Sequence, residues 1–275
     1  MMRMFHAWAA TALLASTSLA HAAPVTITAT GNAAADIAGA VDTYRGVLGD
    51  LNPFEPQNFA GGRRQIDWDA APDVVSDPNA FPGDFFNFNA APRARGIEFE
   101  PTGSTTGFQL SSTAASGTPV EFGFDDQFST FSPERLFAPV GGTTLDVKFF
   151  DPADQTTPAT TRGLGVVFTD VEIPGLTTMT FFDRNDNELG KFDVPTSDNA
   201  GLSFLGVAFD DPEVFRVSIV AGLSPIDGAL VEPSELVAMD DFIFGEMTPV
   251  PLPASVLLLG AGIAGLGAIR RMRAR

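Results

Sequence analysis

Between residues 96 and 244 no stretch keeps the three- and four-residue apolar spacing of an amphipathic helix. Short runs dense in Val, Phe, Ile and Thr are instead cut repeatedly by Pro, Gly, Asp and Asn, the pattern of strands joined by turns. The runs fall at 96–100, 106–111, 119–124, 143–150, 164–171, 176–182, 188–194, 202–210, 213–220 and 235–244. Regular short strands without intervening helices predict an all-β fold, a β-sandwich whose strand count suits a jelly roll. Phe occurs 25 times against one Tyr and two Trp; it offers apolar area with no polar atom to satisfy, so it is read mainly as core filling.

One N-terminal helix is expected ahead of this region. Asn32 is placed to cap it, Ile37, Val41, Tyr44 and Leu48 share one face, and Gly49 follows the last of them. Residues 50–95 are rich in Pro, Asn, Asp and Gly, with short apolar islands at Ile66-Asp67-Trp68 and Phe85-Phe86-Asn87-Phe88, and read as long loops with one or two short strands. The chain thus divides into 1–22, a helix- and loop-rich part at 23–95, the sandwich at 96–248, and 249–275.

The first segment has the features of a secretory signal peptide. Arg3 and His6 precede an apolar stretch from Ala7 to Leu19, and Ala20-His21-Ala22 or Ser18-Leu19-Ala20 offers a small-x-small cleavage site for signal peptidase. The last segment runs Val250-Pro251-Leu252-Pro253-Ala254, then an apolar stretch to Ile269, then Arg270, Arg271, Arg273 and Arg275. At ~1.5 Å per residue, Ala254 to Ile269 makes a helix of about 24 Å, a few Å short of a bilayer core. Leu252, Pro253 and snorkelling Arg side chains extend it into a transmembrane helix. The Arg cluster predicts a cytoplasmic end, which leaves residues 23–253 outside. Gly260-Ala261-Gly262-Ile263-Ala264-Gly265 imitates a dinucleotide fingerprint, but no βαβ unit or later acidic residue accompanies it. Small residues at that spacing suit close helix contact in lipid instead.

Taken in order, this pentapeptide, helix and basic end resemble the VPLPA variant of the PEP-CTERM sorting signal; Leu252 stands where the commoner form carries Glu. The resemblance covers residues 249–275. It implies export across the inner membrane of a Gram-negative bacterium, membrane anchoring, and processing by an exosortase, leaving the body at the cell surface or outside the cell. The body in turn resembles exported bacterial proteins that carry such tails. That likeness runs through Arg63-Arg64-Gln65-Ile66-Asp67-Trp68-Asp69, Phe131-Ser132-Pro133, Leu202-Ser203-Phe204-Leu205-Gly206 and Met239-Asp240-Asp241-Phe242, and it implies a jelly-roll-like domain with no named chemistry.

Charge narrows the partners. Between Ala23 and Thr248, eleven basic residues face all 34 acidic ones, a net charge of −23 that repels nucleic acid. The chain has no Cys, and both histidines, His6 and His21, lie in the first 21 residues, which removes thiol chemistry, Ser–His triads and the usual zinc sites from the body.

Asp183-Arg184-Asn185-Asp186-Asn187 lacks the Gly and Glu that a calcium loop needs at its sixth and twelfth positions and reads as a hairpin turn. Gly165-Val166-Val167-Phe168-Thr169-Asp170 is echoed by Gly206-Val207-Ala208-Phe209-Asp210-Asp211, more simply two similar strands than a duplicated ligand loop.

Asp240 and Asp241 are the strongest site candidates. Side chains alternate along a strand, so one of the two should point at the core, where a carboxylate needs compensation. Three arrangements satisfy this: solvation near a strand end, an Arg partner, or Ca²⁺ with Asp170, Glu172, Asp210 and Asp211 as further oxygen ligands.

The expected function is that of an exported, exosortase-processed surface or extracellular-matrix protein without catalytic activity and without a required cofactor. A calcium-dependent carbohydrate-binding module, with exopolysaccharide as partner, is the alternative, although Trp68 and Tyr44 are the body's sole residues for an aromatic sugar platform. A glycoside hydrolase built on paired carboxylates is a third reading.

Overall fold

A computed structural model of the chain describes residues 22–112, 121–124, 126–228 and 234–250. Its elements are β1 (Val25–Gly31), α1 (Ala34–Leu48), β2 (Arg63–Ile66), β3 (Ile97–Pro101), β4 (Gly107–Leu110), β5 (Phe137–Val140), β6 (Thr144–Phe149), β7 (Ala159–Thr160), β8 (Gly163–Thr169), β9 (Thr178–Phe182), β10 (Glu188–Asp193), β11 (Leu202–Ala208), β12 (Arg216–Val220), β13 (Ala238–Gly245) and β14 (Thr248–Pro249). Residues 1–21 of the expected 1–22 signal sequence and the tail from Pro251 onward, where the apolar helix and Arg cluster are expected, lie outside the described residues. Among the described residues, no helix is long and apolar enough to cross a membrane.

The fold is mostly β, with antiparallel sheets and one α-helix. The first sheet has the order β1-β11-β8-β13-β5-β4, with β2 also paired to β13; the second has the order β10-β9-β12-β6-β3. Leu164, Val166 and Phe168 of β8 meet Val147 and Phe149 of β6, Phe181 of β9 and Val217 of β12 in one core shared by both sheets. The 23–95 stretch is woven into this body, since β1 pairs with β11 and β2 with β13.

The two sheets differ in what covers their outer faces. β6 and β12 alternate buried and partly exposed positions, as strands with one wet face should. β8, β11 and β13 are buried at every position. The outer face of the first sheet is sealed by α1, whose Ile37, Val41, Tyr44 and Leu48 are buried as the helical spacing predicts, against Val167, Leu202, Phe204 and Ile243.

The echoed strands β8 and β11 are neighbours, and Gly165 lies directly opposite Gly206. A Cβ on either glycine would stand 2.5 Å from the Tyr44 ring. The pair therefore forms a flat seat for that ring, whose hydroxyl donates to the Val207 carbonyl at 3.0 Å. This close approach accounts for both glycines in the repeated motif.

Several local expectations change. Asn32 does not cap α1; Asp36, one turn inside, accepts the backbone N–H of Asn32 at 3.1 Å and of Ala33 at 3.0 Å, which also sets a negative charge at the helix N-terminus. The expected strand at 119–124 is a 3-10 turn over Glu121–Gly123, with 119 and 120 outside the described residues. β1, β5, β7 and β14 fall outside the expected runs. β5 contains Pro139, which is tolerated because pairing to β13 involves Phe137 alone, so Pro139 interrupts no ladder on that side. The Asp183–Asn187 segment does turn the β9–β10 hairpin, with Asp183 accepting the backbone N–H of Asn185 at 2.7 Å and of Asn187 at 2.9 Å.

Candidate functional site

β13 carries the site because its ladder is broken in the middle. Against β8, Met239 faces Phe168 while Phe242 faces Val166, so three residue steps oppose two and the strand bulges at Asp240–Asp241. On its other edge the partner changes at the same place, from β5 at Met239 to β2 at Phe242–Gly245. The bulge frees the Asp240 carbonyl, and the Trp68 indole N–H, two residues past β2, donates to it at 2.6 Å. Trp68 is held there by stacking on Phe137, with ring centroids 4.5 Å apart and planes 3° from parallel.

A bulge also overrides alternation. Both Asp side chains reach the same serine: the Ser132 hydroxyl lies 3.1 Å from Asp240 and 2.9 Å from Asp241. Asp240 further accepts the backbone N–H of Phe131 at 2.6 Å and of Ser132 at 3.1 Å. Asp241 accepts Arg45 Nη2 of α1 at 3.0 Å. Of the three arrangements expected for the pair, the structure therefore contains the Arg partner; neither acid is solvated, with exposures of 0% and 3%. Burial, reinforced by the adjacent Asp241 charge, raises Asp240 well above the usual carboxylate range. Asp241 is pushed up to about 6, chiefly by burial, against the pull of Ser132 and Arg45. Two carboxyls this buried and this close disfavour double ionisation, which is why both shift upward.

Of the acids nominated as further calcium ligands, Asp170 alone is buried. Asp170 accepts the Ala200 N–H at 2.9 Å and is bonded by Gln127, while Glu172, Asp210 and Asp211 are exposed. Burial lifts Asp170 to about 6, and the charges that act on it are Glu172 and Glu235 rather than the β13 pair. Among the described residues, no group of three or more carboxylates is placed to hold a metal ion. The buried acids serve the loop that crosses them: Gln127 meets Asp170, Ser129 N–H donates to Thr169 Oγ1 at 3.0 Å, and Phe131 and Ser132 meet Asp240.

No protein-family model matches the chain, and no curated protein or solved structure matches it significantly.

One cluster escaped sequence reasoning. Arg64, fully buried, forks onto Glu246 through Nε at 2.8 Å and Nη2 at 2.9 Å. Its remaining N–H groups reach the carbonyls of Glu55, Gln57 and Ala94, so the guanidinium is fully engaged. The partners lie 182 residues apart, and only the tertiary fold brings them together. Of the expected sorting motif, Val250 alone is described; its N–H donates to the Pro158 carbonyl at 2.9 Å.

The raised carboxyls fix the sign of the pH dependence. A carboxyl whose folded pKa exceeds its unfolded value binds its proton more tightly when folded, so its contribution is present at low pH and lost as pH rises. Asp170, Asp240 and Asp241 all shift this way. The melting temperature should fall between pH 4 and pH 8, and Asp240→Asn should flatten that fall. A melting temperature that rises across this range would contradict the upward shift of these buried carboxyls.

Proposed function

We propose that the chain is an exported surface or extracellular-matrix protein without catalytic activity, anchored through its C-terminal helix and released by exosortase processing. The observation that carries this reading is the placement of the folded body between the two sorting segments. β1 begins at Val25, just past the signal-peptide cleavage sites, and β14 ends at Pro249, next to the Val250–Ala254 motif. The body is a jelly roll in this reading. Strands β5, β6, β8, β9, β10, β11, β12 and β13 visit the sheets in the order first, second, first, second, second, first, second, first, which supports that topology. The one close carboxyl pair described above is sealed beneath a loop and tied to Ser132 and Arg45, which favours a structural role over hydrolysis.

Intact-mass analysis of the native protein tests the reading. The product should begin at His21 or Ala23 and, in a host with a matching exosortase, end or be modified between Pro251 and Ala254. A native product still ending at Arg275 would leave a permanent membrane anchor in its place.

A further inference from the structure

Behind Trp68 lies a cleft of about 240 Å³ whose walls include Asp67, Phe85, Phe86, Pro92, Arg93 and Arg95. Arg93 is stacked between two rings, its Cζ 4.0 Å from the centroid of Phe85 and 4.2 Å from that of Phe88. Arg95 is stacked likewise, at 4.1 Å from Phe54 and 4.6 Å from Phe86. Backbone carbonyls take some of their N–H groups: Arg93 Nε donates to Phe85, and Arg95 donates through Nε to Pro92 and through Nη1 to Gln65. Among the described residues neither forms an ion pair, and Arg93 Nη1 and Nη2 and Arg95 Nη2 have no protein acceptor. Arg95 is only 6% exposed, and burial brings it down to about 10, so it stays cationic at neutral pH.

The chemistry of this cleft is specific. Two guanidiniums held by their faces present in-plane N–H edges, the geometry that receives a carboxylate. Asp67 beside them accepts hydrogen bonds and rejects a second negative charge. Phe85, Phe86 and Pro92 offer apolar surface to C–H groups. The volume lies just below the range for drug-sized ligands and suits one sugar ring. We propose that this cleft binds a hexuronate sugar, its carboxylate on Arg93 and Arg95, its hydroxyls on Asp67 and its ring against the Phe and Pro walls. The site goes beyond the sorting reading and stands or falls separately, because it needs neither processing nor an anchor.

Titration calorimetry of the full chain with D-glucuronate, D-glucose and inorganic phosphate tests it. Glucuronate should bind at least about tenfold more tightly than glucose, and Arg93→Gln should weaken it by about tenfold or more while the melting temperature holds. Equal binding of glucuronate and glucose, or displacement of glucuronate by an equal concentration of phosphate, would overturn the assignment. A second readout needs no variant: glucuronate, but not glucose, should protect Arg93 from an arginine-directed dicarbonyl reagent, read by peptide mass. Unaltered modification of Arg93 in saturating glucuronate would also overturn it. Tighter binding of an oligogalacturonide than of galacturonate would assign the sugar to a polymer, and equal binding to the free monomer; both outcomes support the site.

Discussion

Glu246→Ala should cost about 3–5 kcal/mol of folding stability, because it leaves the Arg64 guanidinium charged, buried and without its carboxylate. The loss spreads beyond the pair. Glu246 also accepts Asn52 Nδ2 at 2.7 Å, and Arg64 ties down the carbonyls of Glu55 and Gln57, so the 50–60 loop is released with it. Arg64→Lys should be nearly as damaging, since an ammonium keeps the charge but cannot reproduce the fork. Urea denaturation measures both. A loss below about 1 kcal/mol, the worth of an exposed pair, would show that Arg64 finds water or another acid when Glu246 is removed.

The second large effect is expected at the seat of α1. Tyr44→Ala removes a fully buried ring and should cost about 3–5 kcal/mol, the usual range for a large aromatic in a core. Gly206→Ala should cost about 1–3 kcal/mol, because the new methyl would stand 2.5 Å from the Tyr44 ring and 2.9 Å from Phe204 Cζ. The two changes should not add. With Tyr44 already Ala, the methyl enters the space the ring has left, and the double variant should be no less stable than Tyr44→Ala alone. Full additivity would mean that Phe204 rather than the Tyr44 ring requires glycine at 206.

These positions also show what could be read from residues alone. The buried face of α1 was legible because Ile37, Val41, Tyr44 and Leu48 obey a local period that tertiary packing does not disturb. The hairpin at Asp183–Asn187 and most of the later strands were legible for the same reason. The aspartate pair was legible as a problem, since a strand with core on its faces cannot leave a carboxylate uncompensated. Its solution was not. Alternation assumes an unbroken ladder, and the bulge that turns both acids toward Ser132 depends on how β13 meets β8, β5 and β2. Arg45, 196 residues from Asp241, carries no local sign of its partner. The repeated Gly-Val pattern was visible, but its cause, one ring seated against two facing glycines, needed the register of β8 on β11.

The sheet edges have a consequence for copies of this protein held at high density. The second sheet ends in β3, with Glu98, Glu100 and Pro101, and in β10, with Glu188, Lys191, Asp193 and an irregular register at Glu188–Gly190. Charges, a proline and a bulge are features that discourage a foreign strand from joining. β1 closes one side of the first sheet as Val-Thr-Ile-Thr-Ala-Thr-Gly, without a charge, a proline or a register shift. Strand addition between neighbouring molecules is thus guarded at both margins of one sheet, while among the described residues no strand covers the outer edge of β1, so fibrous growth by edge pairing would begin there.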